Sequence, residues 1–217
     1  MVIQRDTPIR VWGWATPGRK VAVQFGQAKA DADAAARTGR WEVVFPARPA
    51  DANAQKLTVT AGDDKIEMDN ILVGDVWVMN GQSNMAFGLK GTLDADLEAA
   101  TADLPLLRQV RISPNEWETL LEDISADKID GWKACTPETA GGISAIGYAF
   151  ASQVQRATGI PIGIIDNARG GASIESLVPL QMFRKDPLAE KYLESVEKRQ
   201  AERLVAGEGV VAATYGG

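Results

Sequence analysis

Two unbroken apolar runs, Val76-Trp77-Val78-Met79 and Ile162-Gly163-Ile164-Ile165, constrain this chain more than any other feature. A strand with one wet face alternates apolar and polar residues. These runs do not alternate, so each reads as a core strand of a sheet covered on both faces. Between them, residues 94–102 read as a short helix and Leu107–Ile112 as a strand. Ser144–Ala157 reads as a longer helix with Ile146, Phe150 and Val154 on one stripe, and Gly159 and Pro161 supply its stop. Strands alternating with helices predict an α/β fold built on a parallel sheet flanked by helices. A charged amphipathic helix is expected over Leu188–Val205, with Leu188, Tyr192, Val196 and Leu204 as its sparse apolar side. A glycine-rich tail, Gly207–Gly217, follows it.

The first third has a different rhythm. Arg10–Trp14, Val21–Phe25, Trp41–Phe45 and Lys56–Thr60 are short runs rich in β-branched and aromatic residues. The turn signals Thr16-Pro17-Gly18, Thr38-Gly39 and Gly62-Asp63-Asp64 separate them. Short strands at regular spacing predict a small β-sandwich. Residues 27–38, rich in alanine and aspartate, read as a loop or a weak strand. The expected division is therefore 1–74 for an N-terminal β-sandwich and 75–217 for part of an α/β domain.

Composition removes several function classes. The net charge is −6 with no lysine or arginine block, which argues against nucleic acid as a partner. One cysteine, Cys135, and no histidine leave no disulfide framework and none of the usual zinc or copper ligand sets, so no metal and no cofactor is expected. Asp63, Asp64, Glu67 and Asp69 match no calcium-loop spacing and read as a solvated hairpin. No apolar stretch approaches the ~18 residues of a membrane helix. The first residues, Met1-Val2-Ile3-Gln4-Arg5, do not form a signal peptide.

Two loops follow the core strands at the edge where open α/β sheets bind ligands. The first is Gly81-Gln82-Ser83-Asn84. Ser83 there is either a helix N-cap or an exposed nucleophile whose own amide helps to hold an oxyanion, with Gln82 and Asn84 supporting the loop. The second runs from Asn167 to Ser173 and contains Gly170-Gly171. It is either a plain tight turn, a phosphate cradle, or a place where backbone amides approach a ligand.

Several ordered segments resemble the sialate O-acetylesterases, carbohydrate esterases of the SGNH hydrolase superfamily. Val73-Gly74-Asp75-Val76-Trp77 followed by Gly81-Gln82-Ser83-Asn84-Met85 is similar to the family's nucleophile block. Gly170-Gly171-Ala172-Ser173-Ile174-Glu175 is similar to its second block. Val2–Arg5 with Val11–Ala15, and Gly39–Trp41, resemble parts of the family's N-terminal β-domain, and Ser144–Phe150 and Pro161–Ile165 resemble the helix and strand before the second block. The resemblance implies an SGNH/flavodoxin-like sheet, incomplete here. It implies that Ser83 attacks the carbonyl of a sugar O-acetyl group through an acyl-enzyme, and that the amides of Ser83 and of Gly170 or Gly171 hold the oxyanion with an asparagine side chain. It also implies an extracytoplasmic location.

The family's later blocks, Gln-Gly-Glu-x-Asn and Asp-x-x-His, are not in this sequence, and no histidine can serve Ser83. The expectation is a piece of a longer or split enzyme, complemented by a second chain or segment and nearly inactive alone. The alternative is a non-catalytic carbohydrate-binding or interaction module on the same scaffold. Trp12, Trp14 and Trp41 read as sandwich core rather than sugar platforms. Asp75 reads as structural, Arg169 as an ion-pair partner, Met85 and Phe87 as packing under the nucleophile loop, and Cys135 as a small buried hydrophobe. Trp117 and Trp132 line either the cleft or the core.

Overall fold

Strands occupy the chain as far as Met79: β1 (Val2–Gln4), β2 (Ile9–Trp14), β3 (Lys20–Phe25), β4 (Ala28–Asp33), β5 (Arg40–Phe45), β6 (Asp51–Ala61) and β7 (Asp64–Met79). The structure is a computed structural model and describes residues 1–113 and 123–205. After Met79 come α1 (Ser83–Ala86), α2 (Ala95–Ala100), β8 (Leu104–Arg111), β9 (Lys133–Cys135), α3 (Pro137–Ala140), α4 (Ala145–Thr158), β10 (Ile162–Asp166), α5 (Leu180–Phe183) and α6 (Glu190–Val205). Trp117 and the tail 206–217 lie outside the described residues.

The 16-residue strand β7 organises everything else. Its first half forms an antiparallel hairpin with β6. Leu72–Gly74 pairs in parallel with β1, and Asp75–Met79 pairs in parallel with β10. One sheet therefore runs in the order β4-β3-β6-β7-β10-β8-β9, with β1 beside β7. β10 and β8 are parallel, while β9 adds an antiparallel edge, so the sheet is large and mixed.

At the β-rich end, the separate antiparallel pair β2–β5 lies over the large sheet. Ile9, Trp41, Val43 and Phe45 interleave with Val21, Val23, Phe25, Leu57 and Ile71. The alanine- and aspartate-rich segment is a regular strand, β4. Ala28, Ala30 and Ala32 pack against this core while Lys29, Asp31 and Asp33 face water, a period of two that small side chains disguise. Trp41 is core as expected, whereas Trp12 and Trp14 stand 36% and 41% exposed. All three indoles were expected inside. Trp12 and Trp14 lie one pleat apart on the outer face of β2, because Val11 and Gly13 take the inward positions. Glu67 pairs with Lys56 and Lys65 on the solvated β6–β7 hairpin.

In the second half, α4 covers one face of the sheet. The stripe facing the sheet is not the one the larger apolar residues mark. Gly147, Tyr148, Ala151, Ser152 and Gln155 are buried, while Ile146 and Phe150 are exposed. Small residues decide the orientation: a Cβ added at Gly147 would sit 3.4 Å from Met79 Cγ, so the helix seats against β7 there. Phe150 meets Trp77 edge-to-face at 4.9 Å, at the margin of the contact. On the opposite face Val2 and Trp132 sit over Gly163, and Arg108 and Val110 of β8 are buried beside it. The expected cover on both faces is thus partial, and Val78 is 59% exposed.

Cys135 is fully buried, with Sγ 3.7 Å from the carbonyl of Ala102. Burial pushes its thiol up to about 11. At pH 8 the reactive thiolate is scarce as well as hidden. Ellman's reagent should therefore titrate Cys135 at least ~100-fold more slowly in the native protein than in urea.

Candidate active site

The first loop is shaped by what must leave β7. Gly81 has φ +149°, and a Cβ there would lie 3.2 Å from Met85 Cβ, so only glycine turns the chain comfortably at this point. The side chain of Asn80 accepts a hydrogen bond from Gly81 N at 3.1 Å. Gln82 occupies the N-cap position of α1, and Ser83 is the first helical residue rather than the cap. Gln82, Ser83 and Asn84 are all exposed, and α1 closes through Ala86 N to Gln82 O at 2.9 Å.

Ser83 is exposed but mounted on a buried base. Met85, two residues on, packs against the core under α4. Ser144 is fully buried: its Oγ accepts from Gly147 N at 3.1 Å as the cap of α4 and lies 3.7 Å from Met85 Sδ. Leu89 N donates to Ile143 O at 2.8 Å and Ala145 N donates to Phe87 O at 2.8 Å, stitching the chain after α1 to the chain before α4. Phe87 is half exposed and lies against Gly91.

The second loop is zipped to the first. Beyond the strand ends, Asn167 N donates to Met79 O at 3.0 Å and Arg169 N donates to Gly81 O at 2.9 Å. This carries the β7–β10 pairing into both loops. As a result Gly170 reaches the serine: a Cβ added at Gly170 would stand 4.0 Å from Ser83 Cβ. Gly171 follows at φ +77°, and Ala172 N donates to Arg169 O at 3.2 Å to close the turn. Two loops 87 residues apart in sequence (170 − 83) therefore meet at one serine.

One supporting pair was not foreseen. Asp166, 1% exposed, ends β10. Its Oδ2 takes Arg111 Nε at 2.9 Å and Nη2 at 2.8 Å, and its Oδ1 accepts from Ala168 N at 3.2 Å. Arg111 also donates to Gly142 O at 3.2 Å. The available signal was an acid directly after an unbroken apolar run, where a charge must be paired. Arg111→Ala leaves that carboxylate buried and uncompensated, so urea unfolding should show a loss of about 3 kcal/mol. Asp75 has the structural role expected of it, a two-point pair with Arg5 at 2.8 and 3.3 Å.

Comparisons with known proteins agree on one relationship. A family model described as "Carbohydrate esterase, sialic acid-specific acetylesterase" matches residues 73–210. The sialate O-acetylesterases of Pongo abelii and Homo sapiens are each 31% identical over 192 residues, covering 81% of this chain and 36% of theirs. The structure of a carbohydrate acetylesterase from Xanthomonas citri superposes with a TM-score of 0.74 at 37% identity, over 81% of this chain and 39% of that one. The chain thus spans little more than a third of the length of the relatives it matches. Its mixed α/β fold is the one seen in that acetylesterase. The chain belongs to the carbohydrate esterase family of sialic acid-specific acetylesterases.

Proposed function

We propose that this chain is the nucleophile-bearing part of a carbohydrate O-acetylesterase acting on O-acetylated sugars. The observation that carries the reading is the approach of Gly170 to Ser83, which sets the glycine pair of the second loop beside an exposed serine on a fixed turn. In this reading Ser83 Oγ attacks the acetyl carbonyl carbon. The amides of Ser83 and of Gly170 or Gly171 take the negative charge of the tetrahedral oxyanion. The C–O bond to the sugar breaks, and the sugar hydroxyl leaves with the proton that Ser83 gave up. Water then attacks acetyl-Ser83, releases acetate and restores the hydroxyl. Gln82 and Asn84 flank the serine and shape the loop.

The proton carrier has to come from elsewhere, since the chain holds no histidine. We assign it to a second chain or segment bearing an aspartate–histidine pair and an oxyanion asparagine. Asp75–Met79 pairs with β10 on one side only among the described residues, with Trp77 and Val78 exposed beside it, which suits the addition of such a segment. The division into a β-sandwich, 1–74, and an SGNH-like α/β part, 75–217, belongs to the same proposal, as does an extracytoplasmic location. A carbohydrate-binding module without catalysis is the reading to adopt if supplying the missing segment restores nothing. The test is acetate release from p-nitrophenyl acetate and from acetylated sugars. This chain alone should stay near background, and addition of a relative's polypeptide carrying the missing blocks should raise the rate.

A further inference from the structure

The exposed indoles of β2 border a groove that the esterase reading does not use. It has a volume of about 250 Å³ and lies between the edge of β2 that is unpaired among the described residues and the turn end of the β6–β7 hairpin. Trp12 and Trp14 form one rim, in edge-to-face contact at 5.4 Å and 86°, so their planes make a right-angled corner. Gly13 between them leaves room for the buried Trp41 ring, which lies 3.1 Å from the position of an added Cβ and forms part of the floor. Ile66 and Met68, both exposed, form the other wall. Arg19 and Asp64 also line it. The guanidinium of Arg40 stacks 5.7 Å from the centre of Trp12 and is itself bonded to Glu42 at 3.2 Å, holding that ring in place.

We infer that this groove is a second carbohydrate-binding site, separate from Ser83, that takes a neutral pyranose unit stacked on the Trp12–Trp14 corner. Large indoles left half in water on a rigid strand are an unfavourable surface unless something covers them. A sugar ring matches this surface on both counts. Its axial C–H face packs on an indole, and its rim of hydroxyls can bond to Arg19 and Asp64. Those two charges cancel, so the groove favours a neutral sugar over an anionic one. The site lies in the β-rich end, which residues 73–210 of the esterase family match barely enter, so it adds attachment rather than chemistry. Holding one unit of a glycan there raises the local concentration of its other units near the molecule.

The test is an NMR titration of the indole N–H resonances in the whole chain with cellohexaose and xylohexaose, with sialyllactose as the anionic comparison. The two neutral hexaoses should shift the Trp12 and Trp14 signals saturably in the millimolar range, and sialyllactose should do so no better than lactose. Trp14→Ala should weaken binding about tenfold or more. Trp14→Phe should retain part of it, which separates ring stacking from a folding defect, and Ser83→Ala should leave it unchanged. Absence of saturation by about 10 mM overturns the proposal. So does binding that survives Trp12→Ala with Trp14→Ala, or that disappears with Ser83→Ala.

Discussion

Ser83→Ala should lower acetate release by about four to six orders of magnitude in any preparation where the missing histidine is supplied, and should change nothing measurable in this chain alone. The asymmetry follows from how nucleophile and base act together. A serine hydroxyl is a poor nucleophile at neutral pH until a base takes its proton, so without a base its removal costs almost nothing. In the proposed reading the lone chain would keep the positioning of the two loops, and so only weak binding and charge stabilisation. Robust turnover by the chain alone that vanishes in Ser83→Ala would mean that an aspartate or glutamate of this sequence serves as the base.

Gly74→Ala should produce the largest loss of stability of any single methyl group added to the chain, about 3 kcal/mol or more by urea unfolding. A Cβ at Gly74 would run into the carbonyl oxygen of Pro161. That same oxygen accepts the hydrogen bond of Asp75 N at 2.9 Å, the bond that starts the parallel pairing of β7 with β10. The methyl must therefore push the two strands apart at the point where their register is set. Because the zipper continues to Arg169 and Gly81, the displacement should carry to the Ser83–Gly170 approach as well. Gly142→Ala is the control: its nearest contact is 3.5 Å from Thr139 O and its φ is not positive, so a change within about 0.5 kcal/mol is expected.

The backbone frame was legible where residue chemistry is local. Val76–Met79 and Ile162–Ile165 are strands, Gly159 and Pro161 end α4, and the turn glycines separate the β strands of the first third. The meeting of Ser83 with Gly170 was legible only through family resemblance, because it depends on β10 lying next to β7, and strand order is a long-range choice. Of the apolar stripe expected on α4, Val154 packs against the core but Ile146 and Phe150 do not, because bulk and burial part company there. Gly147 and Ala151 permit close approach, whereas Ile146 and Phe150 do not. β4 was blurred by alanines, whose period of two carries little hydrophobic contrast. Asp166 was passed over because an acid after a core strand looks like part of the loop until its partner, Arg111, is located 55 residues away (166 − 111) on β8. Gly81 and Gly74 show that one residue type served two needs, an uncommon backbone angle at the first and sheer proximity at the second.

The most direct test of the account is to find where the acetyl group goes. The chain is combined with the complementing polypeptide, mixed briefly with p-nitrophenyl acetate, quenched in acid, digested and examined by mass spectrometry. The account predicts an acetyl group on the peptide containing Ser83, absent from Ser83→Ala and from a sample left to turn over fully. Turnover with acetyl on another residue, or turnover undiminished in Ser83→Ala, would contradict it.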